Sequence, residues 1–179
     1  SGFGRRVFRR PLDGDERRRY GRLAKTVARA DGERAGFEAV TAALLQSPQF
    51  LYRTEVGTPD PTGPDRRRLT GFELATRMSY FLWGAPPDDA LLNAAAEGAL
   101  DEHDGRRAQA ERMLLHAKAK DRILSFWREL LQLHRLDRIA EHRKPARKSE
   151  PPLPPGIGAD MRTETLKVIE EVVFDPTRD

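Results

Sequence analysis

Cysteine is absent from the 179-residue sequence. Disulfide bonds, zinc-finger sites, thiol catalysis and covalent attachment of a c-type haem are therefore excluded within these residues. No run of about eighteen or more apolar residues occurs, so the sequence predicts no transmembrane segment, and it shows no signal-peptide pattern. Nucleophile-elbow, phosphate-loop, dinucleotide-binding and paired-histidine zinc motifs are also missing, which leaves no catalytic hypothesis based on a motif.

Apolar residues make up 38% of the chain and charged residues 34%, a composition typical of a folded domain with a large surface. The apolar residues recur at helical spacing in one segment after another, which predicts amphipathic helices. Sustained alternation of β-branched residues is missing, so no strand is predicted. We therefore expect an all-α fold, an irregular bundle of about seven to eight helices in two packed sub-bundles.

Two capping boxes predict where helices begin. Asp13 precedes Glu16 by three residues, and Thr70 precedes Glu73 by the same interval. The helix from Thr70 to Trp83 is apolar on so much of its circumference that we expect it at the centre of the core. Its two neighbouring apolar stripes consist of Leu74, Met78 and Phe81, and of Phe72, Ala75, Ser79 and Leu82.

A segment rich in proline and glycine interrupts the helical pattern at 57–65. Proline lacks an amide donor and crowds the preceding turn, so this segment predicts a boundary. The predicted organisation is an N-terminal helical module at 1–57, a linker at 58–68 and a second helical module at 69–179. We expect the second module to be truncated at its C-terminal end.

Positive charge is concentrated at one end of the chain. The formal net charge is +4, but residues 1–30 alone carry +7. Such an excess can attract phosphate groups or anionic lipid. However, 26 of the 32 basic residues are arginine, and a general arginine bias places this residue on every solvated helix face. The bias therefore favours a solvated surface over nucleic-acid binding.

The four histidines do not have the spacing of a metal site. His103 lies among acids at 101–104, where a solvated helix cap is favoured because neighbouring residues at a helix start point in different directions. His134 lies on the apolar line of a long helix predicted at about 120–138, which favours a hydrogen-bonded histidine at the edge of the core over a haem ligand. A proline-rich surface excursion is predicted at 142–158. The sequence therefore assigns no metal or cofactor ligand in this chain.

Glu73 and Arg77 are candidates for an ionic cluster, because four-residue spacing places both side chains on one helix face. Arg53 and Glu55, at the end of the first module, are candidates to join them. The preferred interpretation is a network of ion pairs between the two modules. The functional alternative is an arginine that clamps a bound substrate. No catalytic residue is assigned.

Several phrases of the sequence resemble a known pair of helical modules. Residues 6–12 (RVFRRPL) and 47–53 (SPQFLYR) resemble one helical domain of unknown function, and residues 73–83 (ELATRMSYFLW) resemble the domain that follows it. These are the domain-of-unknown-function families 1595 and 1592, found in tandem in large exported bacterial proteins associated with planctomycete-type cytochrome c domains. The resemblance implies a periplasmic or cell-surface parent protein with a link to electron transfer. It supplies no catalytic residue.

Three functional hypotheses follow. The first is a helical scaffold or interaction module of an exported, cytochrome c-associated protein, whose partners are the remaining domains of the same parent and a c-type cytochrome. The alternative is part of a haem-dependent oxidoreductase whose cofactor-binding segment lies outside this chain, with haem c held elsewhere in the parent. The third and least favoured is an anionic-surface or nucleic-acid binder that uses residues 5–29.

Overall fold

The computed structural model of the chain describes residues 2–63, 65–139 and 153–175. It is 73% helical and 2% strand, which confirms the all-α prediction. Short 3-10 helices occupy Ala99–Asp101 and Leu133–Arg138. The α-helices are α1 (Gly2–Phe8), α2 (Gly14–Asp31), α3 (Glu33–Leu45), α4 (Pro48–Leu51), α5 (Gly71–Trp83), α6 (Asp89–Ala96), α7 (His103–Leu114), α8 (Ala117–Leu130) and α9 (Ile157–Phe174).

The predicted capping boxes both form. At the start of α2, the Asp13 carboxylate accepts a hydrogen bond from the Glu16 amide at 2.8 Å, and Glu16 accepts one from the Asp13 amide at 2.9 Å. The Thr70 and Glu73 side chains make the corresponding pair of bonds at the start of α5. At the other end of α5, Gly84 adopts a left-handed conformation with φ of 63°, as the position after a helix commonly does.

The core around the first three helices joins aromatic and aliphatic side chains. Val7, Phe8, Tyr20 and Leu44 are buried together, and the rings of Phe8 and Tyr20 meet edge to face with centroids 6.0 Å apart. Helices α2 and α3 form a hairpin that packs closely at Gly36. A Cβ atom at this glycine would lie 2.7 Å from the Ala24 carbonyl oxygen.

A second group of buried residues lies farther along the chain, where α5, α6 and the 3-10 helix Ala99–Asp101 contact one another. On α5 the buried residues are Ala75, Ser79 and Trp83. Leu91, Leu92, Leu100 and Met113 are also buried. The prediction that α5 is surrounded by core is wrong for Phe81, which is 74% exposed. The buried line instead has a four-residue period, so α5 is amphipathic.

Two further differences from the sequence prediction concern local backbone. Thr58–Pro59 and Arg67–Arg68 form a short antiparallel ladder inside the predicted linker, where no strand was expected. The helix predicted at 120–138 ends at Leu130, because Gln132 turns into the left-handed region with φ of 52°. As a result, His134 lies exposed in a 3-10 helix and not on an apolar helical line.

The chain contains two compact units, Ser1–Met113 and Leu114–Asp179. In the second unit, Gly158 of α9 packs against the backbone of Leu136, where an added Cβ would lie 1.9 Å from the carbonyl oxygen. The module boundaries at 57, 58–68 and 69–179 stay a prediction. The excursion predicted at 142–158 lies mostly outside the described residues. Among those residues, no helix is long and apolar enough to cross a bilayer.

Candidate functional site: the polar junction

Glu73 joins the start of α5 to the segment at 56–57. Its Oε2 atom accepts hydrogen bonds from the amide and the hydroxyl of Thr70, both at 2.8 Å. Its Oε1 atom accepts from the amides of Val56 at 2.7 Å and Gly57 at 3.0 Å. One carboxylate therefore caps the helix and also fixes the chain that follows α4.

The environment of Glu73 favours its ionised form. Burial by itself raises the pKa of the Glu73 carboxyl. Hydrogen bonds from Gly57, Thr70 and Val56 act in the opposite direction and outweigh it, so the pKa lies below the ordinary value of a glutamate. The carboxylate is thus held as an acceptor for backbone donors that need one.

Arg77 pairs with Glu55, 22 residues earlier in the chain. The guanidinium Nε donates to Glu55 Oε1 at 3.0 Å, and Nη2 donates to Oε2, so the contact has two points. These bonds from Arg77 lower the pKa of the Glu55 carboxyl, with burial opposing them. The sequence suggested that Arg77 pairs with Glu73 on the same helix, but the structure places both Glu73 oxygens on Thr70 and the amides of the preceding segment.

Arg53, the fourth predicted residue, makes a different contact. Its guanidinium lies 4.4 Å from the ring centroid of Tyr80, a cation–π arrangement on the outer part of α5. Its charge also lowers the pKa of the Glu55 carboxyl, as a minor contribution beside that of Arg77. The structure therefore places the four predicted residues around one junction, and their individual partners differ from the expected ones.

Arg9 is a member of the junction that the sequence did not indicate. It is 6% exposed and occupies the left-handed region with φ of 58°. Its guanidinium donates to the carbonyl oxygens of Gln49 at 2.7 Å and Tyr52 at 2.9 Å, with a longer bond to Phe50 at 3.4 Å. Arg9 therefore caps the C-terminal end of α4, where carbonyl groups lack helical partners.

A cavity of about 420 Å³ opens beside these groups. Its charged lining residues are Arg9, Arg10, Arg53, Glu55 and Glu73. Four of them make other hydrogen bonds: Arg9 to carbonyl oxygens, Arg10 to Glu16, Glu55 to Arg77, and Glu73 to amides. In the part of the chain that the structure describes, Arg53 has no ion pair with a carboxylate, and its guanidinium lies over the Tyr80 ring. The arrangement can fix residues 55–57 against α5, and it leaves Arg53 as the charged group of the cavity that has no carboxylate partner among the described residues.

The remaining candidates from the sequence lie apart from this junction. His103 is exposed and its Nδ1 atom lies 3.4 Å from Asp104. The described residues contain no group of three or more histidine and acidic side chains that could hold a metal ion. Trp83 belongs to the core, where its indole N–H donates to the Met113 carbonyl oxygen at 2.9 Å.

The fold and the junction define an all-α protein in which residues 55–57 are fixed to the first two turns of α5 by the side chains of Glu73 and Arg77. The chain belongs to the family described as PSD4, protein of unknown function (DUF1592), which matches residues 69–179. Residues 1–55 match the family described as PSD5, protein of unknown function (DUF1595). Both families suggested by the resemblance are thereby confirmed. No curated protein and no solved structure gives a significant match.

Proposed function

We propose that this chain is a helical scaffold and interaction module of an exported, cytochrome c-associated protein. Its role is to present a fixed helical surface to the remaining domains of the parent protein and to a c-type cytochrome. That the parent protein is exported and has a cytochrome partner is inferred from the family resemblance. The scaffold role is supported by the contacts within the first compact unit.

The observation that carries the proposal is how the charged groups of the junction are used. Glu73 accepts four hydrogen bonds, which come from Thr70, Val56 and Gly57. The two-point pair of Arg77 with Glu55 adds a second link between the same two segments. A carboxylate that is ionised and saturated with donors is a poor proton acceptor but a strong positioning group. The junction therefore favours a structural role.

Exposed apolar side chains support the interaction part of the proposal. Phe81 on α5 is 74% exposed and Phe37 on α3 is 63% exposed. Single exposed apolar residues are ordinary, whereas contiguous exposed apolar surface is typical of interaction sites, and Phe37 lies beside the exposed ring of Phe3 with ring centroids 6.1 Å apart. In the second compact unit, Leu115 and Phe126 are exposed in the same way. The chain thus has apolar surface to offer after its own cores are formed.

The test is a binding measurement between this chain and the rest of its parent protein. Titration calorimetry with the purified remaining domains, and separately with a purified c-type cytochrome, should give saturable binding to at least one of them. An absorption spectrum of the intact parent should show haem held outside this chain. Failure to bind either partner would overturn the interaction role. Turnover of a substrate by the chain alone would overturn the scaffold role.

A further inference from the structure

An apolar groove of about 670 Å³ lies among α1, α2 and α3, and we call it the N-terminal groove. It is separate from the polar junction and none of the predicted site residues lines it. Most of its lining is aromatic or aliphatic. The principal contributors are Phe3, Leu12, Tyr20, Ala24, Phe37 and Val40.

Two exposed rings form one wall of the groove. Phe3 is 45% exposed and Phe37 is 63% exposed, and their ring centroids lie 6.1 Å apart. Helix α2 lines the groove with Arg17, Tyr20, Gly21 and Ala24, and a Cβ atom added at Gly21 would meet no atom within 4 Å. The groove is therefore open beside Gly21, where there is space for apolar side chains of a partner.

The charge around the groove has one sign. Arg5 and Arg17 are the charged residues that line it, and among the described residues no carboxylate does so. Arg5 is anchored, because its Nη2 atom donates to Asn93 Oδ1 at 2.7 Å. Arg17 is exposed, and in the described part of the chain its side chain has no ion pair. The surrounding segment, residues 1–30, carries a net charge of +7. A complementary occupant must therefore combine apolar side chains with carboxylates.

We propose that the N-terminal groove binds an amphipathic helix of a partner domain whose apolar face is bordered by glutamate or aspartate. A helix with apolar residues at i, i+3, i+4 and i+7 supplies a stripe of side chains for an open groove between helices. Flanking carboxylates pair with Arg17 and add long-range attraction to the basic end of the chain. This assignment deepens the proposed interaction function and rests on it.

The experiment uses the full chain and a fluorescein-labelled helical peptide of about 18 residues, with leucine at i, i+3, i+4 and i+7 and glutamate on both flanks. A second peptide carries lysine at the flanking positions. Fluorescence anisotropy should show that the chain binds the glutamate peptide at least about tenfold more tightly than the lysine peptide. Equal affinity for the two peptides, or no binding of the glutamate peptide, overturns the proposal.

Matched variants locate the contact. Phe37→Ser should weaken binding of the glutamate peptide about tenfold or more, while Phe81→Ser should leave it within about twofold, because Phe81 is an even more exposed ring that does not line this groove. Arg17→Glu should also weaken binding about tenfold, and Arg29→Glu near the other end of α2 should change it about twofold or less. Circular dichroism checks that each variant folds. Equal effects of the paired variants overturn the assignment to this groove.

Two other occupants of the N-terminal groove would give different experimental results. Binding to phosphatidylglycerol vesicles that depends on Phe37, without peptide binding, would replace the partner helix by a lipid surface. A dimer in light scattering that Phe37→Ser abolishes would replace the partner helix by a second copy of this chain.

Binding to the remaining parent domains separates the groove proposal from the scaffold function. If the wild-type chain binds these domains and Phe37→Ser binds them equally well, the groove assignment fails and the scaffold function stands. If the wild-type chain binds neither the remaining parent domains nor a c-type cytochrome, the scaffold function fails whatever the peptide does.

Discussion

Arg77 on α5 holds Glu55 by two parallel hydrogen bonds, and the Glu55 segment is thereby attached to a helix that begins 16 residues later in the sequence. The Arg77 side chain is 60% exposed and that of Glu55 is 33% exposed. Exposed ion pairs usually stabilise a fold only slightly, but two-point geometry between Arg and a carboxylate is the favourable case. The contact therefore contributes more to the position of the Glu55 segment along α5 than to the stability of the fold.

The first prediction concerns this pair. Arg77→Glu should lower the urea midpoint, because two carboxylates then face each other, and adding Glu55→Arg should restore part of the loss. The coupling should weaken strongly in about 1 M salt, where charges are screened within about 3 Å. Arg22→Glu on α2 is the control, since Arg22 is exposed and has no ion pair among the described residues. Equal midpoints for the single and the double variant would contradict the pairing.

The second prediction concerns Glu73 and pH. Because the pKa of Glu73 is lowered in the folded state, its contribution to stability is present above the ordinary glutamate pKa of about 4.3 and is lost as the pH falls through the folded value. Glu73→Gln should cost about 1 kcal/mol of unfolding free energy at pH 7 and less than that at pH 3. Urea unfolding at both pH values measures the difference.

The control for this titration is Glu97→Gln, which changes an exposed glutamate just after α6 that caps no helix start. It should change the unfolding free energy at pH 7 by less than about 0.5 kcal/mol, as an exposed surface substitution usually does. A loss of stability in Glu73→Gln that is the same at pH 3 and pH 7 would show that the carboxylate charge is not what holds Val56 and Gly57.

The third prediction compares two glycines of the α2–α3 hairpin. A Cβ atom at Gly36 would lie 2.7 Å from the Ala24 carbonyl oxygen and 2.9 Å from the Ala28 Cβ atom. Gly36→Ala should therefore destabilise the protein by about 1 to 3 kcal/mol, because the backbones must separate. Gly21→Ala on α2 meets no atom within 4 Å and should stabilise the helix by about 0.5 to 1 kcal/mol. Opposite signs in thermal unfolding are the expected result.

How much of this could be predicted from the sequence depends on how local the cause is. The capping boxes at Asp13 and Thr70 are formed by residues three positions apart, so the pattern alone predicts them. The same local reasoning paired Arg77 with Glu73, and it failed because a distant segment offers amides to Glu73 and a carboxylate to Arg77. Long-range partners are not encoded in helical spacing.

Backbone conformations that depend on tertiary contacts also could not be predicted from the sequence. Gln132 is neither glycine nor proline, yet its positive φ ends α8 well before the predicted position. The apolar stripe that includes Phe81 looked like core, since a single helix cannot show which of its apolar faces will find a partner. The groove beside Phe37 likewise depends on how α1, α2 and α3 pack, which no single helix pattern shows.

The last prediction concerns Arg9, where a charged side chain and a strained backbone occur together. Removing the guanidinium leaves the carbonyl groups of Gln49 and Tyr52 without their donor, so Arg9→Ala and Arg9→Gly should both cost about 2 to 3 kcal/mol of unfolding free energy. Glycine adopts a φ of 58° without the steric penalty that Cβ causes. In urea unfolding, Arg9→Gly should therefore be more stable than Arg9→Ala by about 1 kcal/mol, although glycine is the more flexible residue in the unfolded chain. The opposite order would mean that residue 9 leaves the left-handed region once its side chain is gone, and that the guanidinium bonds hold the backbone there.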